Sequence, residues 1–228
     1  MKVLVSITTT TNANWRKKIK ETKKLGLTEV ALFVSAIGPE ERQEVYTELK
    51  KAKIKNIPFV HIRSDMPPAE LQFLIDEFGA KCFNIHSEKE FPLKYDLSGY
   101  KNMIYQENGS GAVSMDDEVG DWAGLCLDVS HHENCRLTNH PFYFELAQLL
   151  DKYPVGIWHL NAITEEQKKD LDDNRLGFDN HFFKKLKEFD YCLRYKKYLP
   201  LHYIALELEN DMPDQLRAKE YVEQLLKL

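Results

Sequence analysis

Six short apolar segments of this chain end on a side chain able to bind a metal ion. In order these are His61 after Pro58-Phe59-Val60, His86 after Phe83-Asn84-Ile85, Glu107 after Ile104-Tyr105-Gln106, Asp128 after Cys126-Leu127, His159 after Gly156-Ile157-Trp158, and Glu207 after Ala205-Leu206. One such residue at a strand end is ordinarily a hydrogen-bonded core histidine or a glutamate paired with a lysine. Six in succession are different, because each costs on the order of several kcal/mol if buried without a partner. A divalent ion satisfies several carboxylates and neutral imidazoles at once. Glu107, Asp128, His159 and Glu207 form a three-carboxylate, one-imidazole set suited to Mn, Mg, Co or Zn. His61 and His86 either complete a second metal site beside Glu107 or contact substrate, so one or two ions are expected.

His131 follows Asp128 at a spacing of three, in Asp128-Val129-Ser130-His131. Just past a strand end, that spacing turns a second side chain over the same mouth, toward substrate or an additional metal. Its neighbour His132 reads as a loop histidine in solvent. Asn108 after Glu107 and Asn161 after His159 are placed to orient the ligands from behind.

These residues need a scaffold that brings strand ends together. Runs rich in Val, Ile, Leu and Phe at 2–8, 29–35, 57–61, 81–86, 102–107, 125–128, 155–159 and 203–208 read as eight strands. Helices are expected at 14–25, with Trp15, Ile19, Thr22 and Leu25 on one stripe, at 39–52, at 67–78 behind two prolines, and at 142–153, 181–195 and 213–228. The connections 87–101 and 109–124 lack a helical pattern, so the helices after strands 4 and 5 are reduced or missing. Eight strands alternating with helices point to a compact (β/α)8 TIM barrel, whose strand C-terminal ends converge on one mouth. Side-chain parity agrees: Phe83 and Ile85 oppose Cys82, Asn84 and His86; Leu125 and Leu127 oppose Cys126 and Asp128; Ile204, Leu206 and Leu208 oppose Tyr203, Ala205 and Glu207. One face is aliphatic, to pack under helices, and the other runs through smaller residues to a polar one. An open doubly wound sheet would call for a Gly-rich phosphate loop after an early strand, and neither Thr8-Thr9-Thr10-Thr11 nor Ser35-Ala36-Ile37-Gly38 is one.

Composition is that of a globular chain: 228 residues, 43% hydrophobic and 29% charged. With no linker, repeat or low-complexity tract, one domain over 1–228 is expected. The 31 basic and 36 acidic side chains leave a net charge of −5, which supplies no global attraction for phosphate backbones or anionic lipid. No apolar run is long enough to span a bilayer and the N-terminus turns polar at Thr8, so a cytoplasmic protein is expected. Cys82, Cys126, Cys135 and Cys192 show no C-x-x-C spacing and read as buried reduced thiols.

The phrases Cys126-Leu127-Asp128-Val129-Ser130-His131 and Trp158-His159-Leu160-Asn161, with Glu107-Asn108 upstream and Glu207 on the last strand, resemble the xylose isomerase-like TIM barrel superfamily. That group holds sugar and sugar-phosphate isomerases and epimerases, and abasic-site nucleases of the endonuclease IV type. Among the epimerases, the resemblance implies one divalent metal on the counterparts of Glu107, Asp128, His159 and Glu207. The resemblance also implies that the two glutamates move protons beside the bound sugar, with His131 placed to bind a substrate hydroxyl. Such chemistry needs a base, an acid opposite it, and a Lewis acid to stabilise an enediolate. In the nuclease branch, the counterparts of His61, His86 and His131 help hold extra zinc ions, and this chain has all three.

Three departures bear on the choice. After the His159 strand the nuclease pattern continues with an Asp and a His, and in 170–177 only Asp173 offers a substitute, with no histidine. The epimerase pattern has an Arg six residues beyond the strand histidine, where Glu165 stands, and Arg175 fills in only if its loop folds back. The short 109–124 connection leaves the mouth more open, inviting a partner such as a second copy. Acidic stretches at 114–118, 170–173 and 209–211 would repel a DNA backbone, whereas Arg16-Lys17-Lys18 and Lys184-Lys185 with Lys187 read as solvated helix faces. The expectation is therefore a metal-dependent isomerase or epimerase of a small sugar or polyol. A zinc phosphodiesterase or abasic-site nuclease comes second, and a non-catalytic barrel retaining the site third.

Overall fold

The computed structural model describes residues 1–109, 119–169 and 175–228. A parallel sheet winds around one axis: β1 (Lys2–Leu4), β2 (Ser6–Thr8), β3 (Ala31–Phe33), β4 (Phe59–His61), β5 (Cys82–Ile85), β6 (Ile104–Glu107), β7 (Leu125–Asp128) and β8 (Val155–Leu160), then β11 (Tyr203–Leu206), which follows a separate hairpin. Only Val5 separates β1 from β2. The first pairs with β11 (Val3 opposite Ile204) and the second with β3 (Ile7 opposite Leu32), so one run of chain joins the sheet's two ends and closes the barrel. The eight expected strands are thus all present, the first divided in two.

Period-2 alternation sorts the side chains into two cores. Leu4, Phe33, Phe59, Cys82, Tyr105, Cys126, Ile157 and Ala205 fill the barrel interior. The opposite faces, including Phe83, Ile85, Leu125, Leu127, Ile204 and Leu206, pack outward with the helices. One pleat above the interior layer, on the same faces, stand His61, Asn84, Glu107, Asp128, His159 and Glu207. The apolar plug is tight. A Cβ on Gly156 would overlap the ring of Tyr105, whose hydroxyl lies 2.7 Å from His202 Nε2 at the barrel's lower end.

The helices are α1 (Trp15–Lys24), α2 (Pro39–Ala52), α3 (Pro68–Phe78), α4 (Val129–Leu137), α5 (Phe142–Lys152) and α6 (Met212–Leu226). Asn14 caps α1 by accepting from the Lys17 amide, and α3 opens on Pro67-Pro68 and stops at Gly79, whose φ of 66° suits glycine. Trp15, Ile19 and Thr22 are buried as expected, but Leu25 lies beyond the last helical turn and is 43% exposed. The 87–101 connection holds only a 3-10 turn at Ser98–Tyr100, while 110–118 lies outside the described residues.

Three features differ from the sequence reading. Helix α4 starts directly on the strand-ending Asp128, with no loop between them. After β8 comes an antiparallel hairpin, β9 (Ala162–Lys169) and β10 (Leu176–Asn180). The helix expected at 181–195 is instead a 3-10 segment at Leu186–Tyr198. Among the described residues no helix is long and apolar enough to cross a membrane, and all four cysteines are free and buried.

Candidate metal centre at the barrel mouth

The strand ends open into a cavity of about 470 Å³ lined by His61, His86, Glu107, His131, His181 and Glu207 among others. Three groups of ligand atoms, each within 4.8 Å of one another, meet at Glu107: His61, His86 and Glu107; Glu107, Cys126 and His159; and Glu107, Asp128, His159 and Glu207. Glu107 Oε2 lies 2.9 Å from His61 Nε2 and 3.6 Å from His86 Nε2, while Oε1 lies 3.2 Å from His159 Nδ1. Glu207 Oε2 stands 3.7 Å from the same His159 nitrogen. Asn84, in the ligand layer of β5, donates to Glu107 Oε2, and His86 sits one pleat higher. The Cys126 thiol borders Glu107 and His159 from below, and burial pushes it up to about 12.

Asp128 owes its orientation to its place at a strand-to-helix junction. Its Oδ1 accepts from the Ser130 hydroxyl and, at 2.8 Å, from the His131 amide, which makes it the N-cap of α4. Its Oδ2 faces Asn161 Nδ2 at 3.4 Å and His131 Nε2 at 3.7 Å. Asn108 clamps the backbone instead, donating to the Asp128 carbonyl at 3.1 Å and accepting from its amide at 2.7 Å.

His131 turns over the mouth as its spacing requires. Its Nδ1 lies 2.6 Å from Asp179 Oδ2, and Arg175 grips Asp179 at 3.0 and 2.6 Å. Burial opposes charge on His131, but Asp128 and Asp179 override it and raise the imidazole to about 10. Burial likewise opposes charge on Asp179, yet His131 and Arg175 hold its carboxyl far below the usual range.

Asp179, with His181 two residues on, is what the sequence reading missed. His181 lines the cavity, its Nδ1 3.1 Å from the Glu207 carbonyl. An Asp-x-His pair at the end of a strand puts both side chains on one face, and that spacing was the available signal. In the chain β9 separates it from β8, so the residues just after His159 do not reveal it. Arg175 does fold back, but onto Asp179, while Glu165 is exposed and pairs with Lys187. Asp173 and the acidic stretches 114–118 and 170–173 lie outside the described residues. Two further expectations are corrected. His132 is buried, stacked on Tyr143 at 4.6 Å, because α4 carries it to the face opposite His131. Lys18 is buried too, donating to Thr8 Oγ1 at 2.7 Å and to the Leu208 carbonyl, and burial lowers its ammonium to about 7.

The donor set fits a divalent ion. Three carboxylates, Glu107, Asp128 and Glu207, are buried side by side, and among the described residues no Lys or Arg forms an ion pair with any of them. His159 Nε2 and His61 Nδ1 are buried without a hydrogen-bond partner. Such a cluster repels itself unless a cation or protons are present. Burial raises Glu207, whereas on Glu107 burial is outweighed by His159, His61 and His86, which draw its carboxyl well down.

A closed parallel barrel with carboxylates and imidazoles at its C-terminal mouth is a TIM barrel in the arrangement such enzymes use for chemistry. No family model and no curated protein matches the sequence. Among solved structures, the chain is similar to SacUVDE, at 13% identity over 100% of both chains with a TM-score of 0.51. It is also similar to a xylose isomerase-like TIM barrel protein from Mycobacterium smegmatis in complex with magnesium, at 13% identity over 99% of this chain and 96% of that one, TM-score 0.48. A xylose isomerase domain protein from Planctomyces limnophilus matches at 11% identity over 100% and 99%, TM-score 0.49. The likeness is one of fold, that of a TIM barrel.

Proposed function

We propose that this protein is a divalent-metal-dependent hydrolase acting on a phosphoester. The observation that carries this reading is the sharing of Glu107, whose two oxygens face different ligand sets. In this reading His61, His86 and Glu107 hold one ion, and Glu107, Asp128, His159 and Glu207 a second. Asp179 and His181 add a carboxylate and an imidazole along the same wall. Bound divalent ions would neutralise phosphoryl oxygens and acidify water at the mouth, the work of adjacent metal sites in phosphoester hydrolysis.

The chain's own residues do the rest. Asn84 and the three imidazoles fix Glu107, so its carboxylate needs no reorganisation when substrate arrives. His131, held through Nδ1 by Asp179, presents Nε2 toward the cavity, where it hydrogen-bonds a substrate oxygen and can pass a proton to the leaving group. Among the described residues, Arg63 is the single Lys or Arg lining the cavity. Together with the net charge of −5 this suits a small substrate better than a nucleic-acid strand.

A second reading has its own observation. Glu107 and Glu207 approach His159 Nδ1 from different strands at 3.2 and 3.7 Å, a pair suited to the acid and base of a sugar isomerase or epimerase with one Mn, Mg, Co or Zn ion. Elemental analysis of protein purified without chelator, with assays on bis(p-nitrophenyl) phosphate and on a ketose panel, separates the two. Two or more ions per chain with metal-dependent phosphoester cleavage is the expected result. One exchangeable ion with epimerisation supports the second reading, and no ion with no turnover overturns both.

A further inference from the structure

The two loops that follow β4 and β5 meet above the ligand layer. The Lys94 amide of one donates to the Ser64 carbonyl of the other at 2.9 Å, and the turn before Phe91 is fixed by the amides of Glu90 and Phe91, which donate to the Ser87 carbonyl at 3.1 and 2.9 Å. Phe91 and Arg63 both line the cavity. Phe91 lies against His86 with ring centroids 5.3 Å apart, yet it remains 51% exposed. A phenyl ring serving the core would be covered, as Phe59 and Phe83 are. Arg63 is aimed by a chain of contacts that begins inside the protein. Glu70 holds the buried Arg42 through two bonds of 2.8 and 3.1 Å, Arg42 holds Asp65 at 3.1 Å, and Asp65 accepts Arg63 Nε at 3.2 Å. The Ser35 carbonyl takes Arg63 Nη1, and Nη2 has no hydrogen bond among the described residues.

We propose that Phe91 and Arg63 form a recognition subsite for an aromatic phosphate ester, the ring stacking on Phe91 beside His86 and the guanidinium taking a phosphoryl oxygen. The proposal deepens the hydrolase reading and rests on it for the phosphate. A flat ring gains on Phe91 what an alkyl group of equal charge cannot, because offset stacking adds to plain area burial. A planar guanidinium with a donor to spare suits a phosphate oxygen. The cavity's volume of about 470 Å³ accommodates an ester of nucleoside-phosphate size.

The test is equilibrium binding of phenyl phosphate and methyl phosphate to the metal-loaded protein, followed by fluorescence. Phenyl phosphate is expected to bind about tenfold more tightly than methyl phosphate. Phe91→Ala should abolish that preference, Phe91→Trp should retain it, and Arg63→Gln should weaken both ligands alike. Equal binding of both, unchanged in Phe91→Ala, overturns the subsite and leaves the hydrolase reading standing. Selective binding of phenyl phosphate without cleavage supports the subsite and counts against the hydrolase. Binding of neither overturns both.

Discussion

Glu107 Oε2 lies 2.9 Å from His61 Nε2, a contact that reaches across the barrel mouth from β6 to β4 although β5 lies between them. One carboxylate thereby belongs to both proposed ion sites. Glu107→Gln is expected to lower bound metal in both, whereas His86→Asn should empty only the group it shares with His61. Elemental analysis after dialysis against a weak chelator reads the difference. A Glu107→Gln protein with its full metal complement would sink the shared-ligand assignment.

Asp128 has a second duty, as the cap of α4. Asp128→Ala should therefore leave chelator-treated protein about 1 kcal/mol less stable than Asp128→Asn, the usual cost of a lost N-cap. Both variants remove the charge from the carboxylate cluster, and only asparagine still caps the helix. Urea unfolding of both in excess chelator, read by circular dichroism, measures the gap attributable to the cap.

Lys18 makes stability depend on alkaline pH. Its folded pKa is lowered to about 7 from 10.5, so the unfolded chain binds more protons between those values and stability rises with pH across that window. Below about 7 both states are protonated and the full cost of the buried ammonium is present; above about 10.5 it vanishes. The urea midpoint of wild type minus that of Lys18→Met should climb between pH 7 and 10.5. A flat difference would mean that the ammonium is not desolvated.

Gly156 and Tyr105 share one space in the barrel interior. Gly156→Ala should destabilise by about 1–3 kcal/mol through overpacking, and Tyr105→Leu should restore much of that loss in the double variant. A thermal melt of the three variants forms the cycle, and additive effects would deny the contact.

How much of this was legible in the sequence depends on the range of the interaction. The eight strands and their parity rest on local alternation, so Cys126 below and Asp128 above could be assigned to one face without coordinates. The six strand-ending residues followed from that parity. Elements governed by longer contacts were not legible. Strands β9 and β10 are largely polar, and their antiparallel pairing is accompanied by long-range contacts that no local pattern shows: Asp179 with His131 and Arg175, and the Phe178 amide donating to Asn134. Lys18 looks solvated by composition, and its burial arises because α1 leans on the closing strands, where Thr8 and Leu208 wait as acceptors.

The placement of the ligand layer one pleat above the apolar layer ties chemistry to folding. A slip of one residue in any of those strands would turn its ligand outward to the helices and an aliphatic side chain toward the mouth. A barrel closed in the wrong register could therefore not assemble the donor set. Metal retention would then double as an assay of foldedness: the fraction of chains that hold their ions after desalting would count the barrels whose strands are all in register.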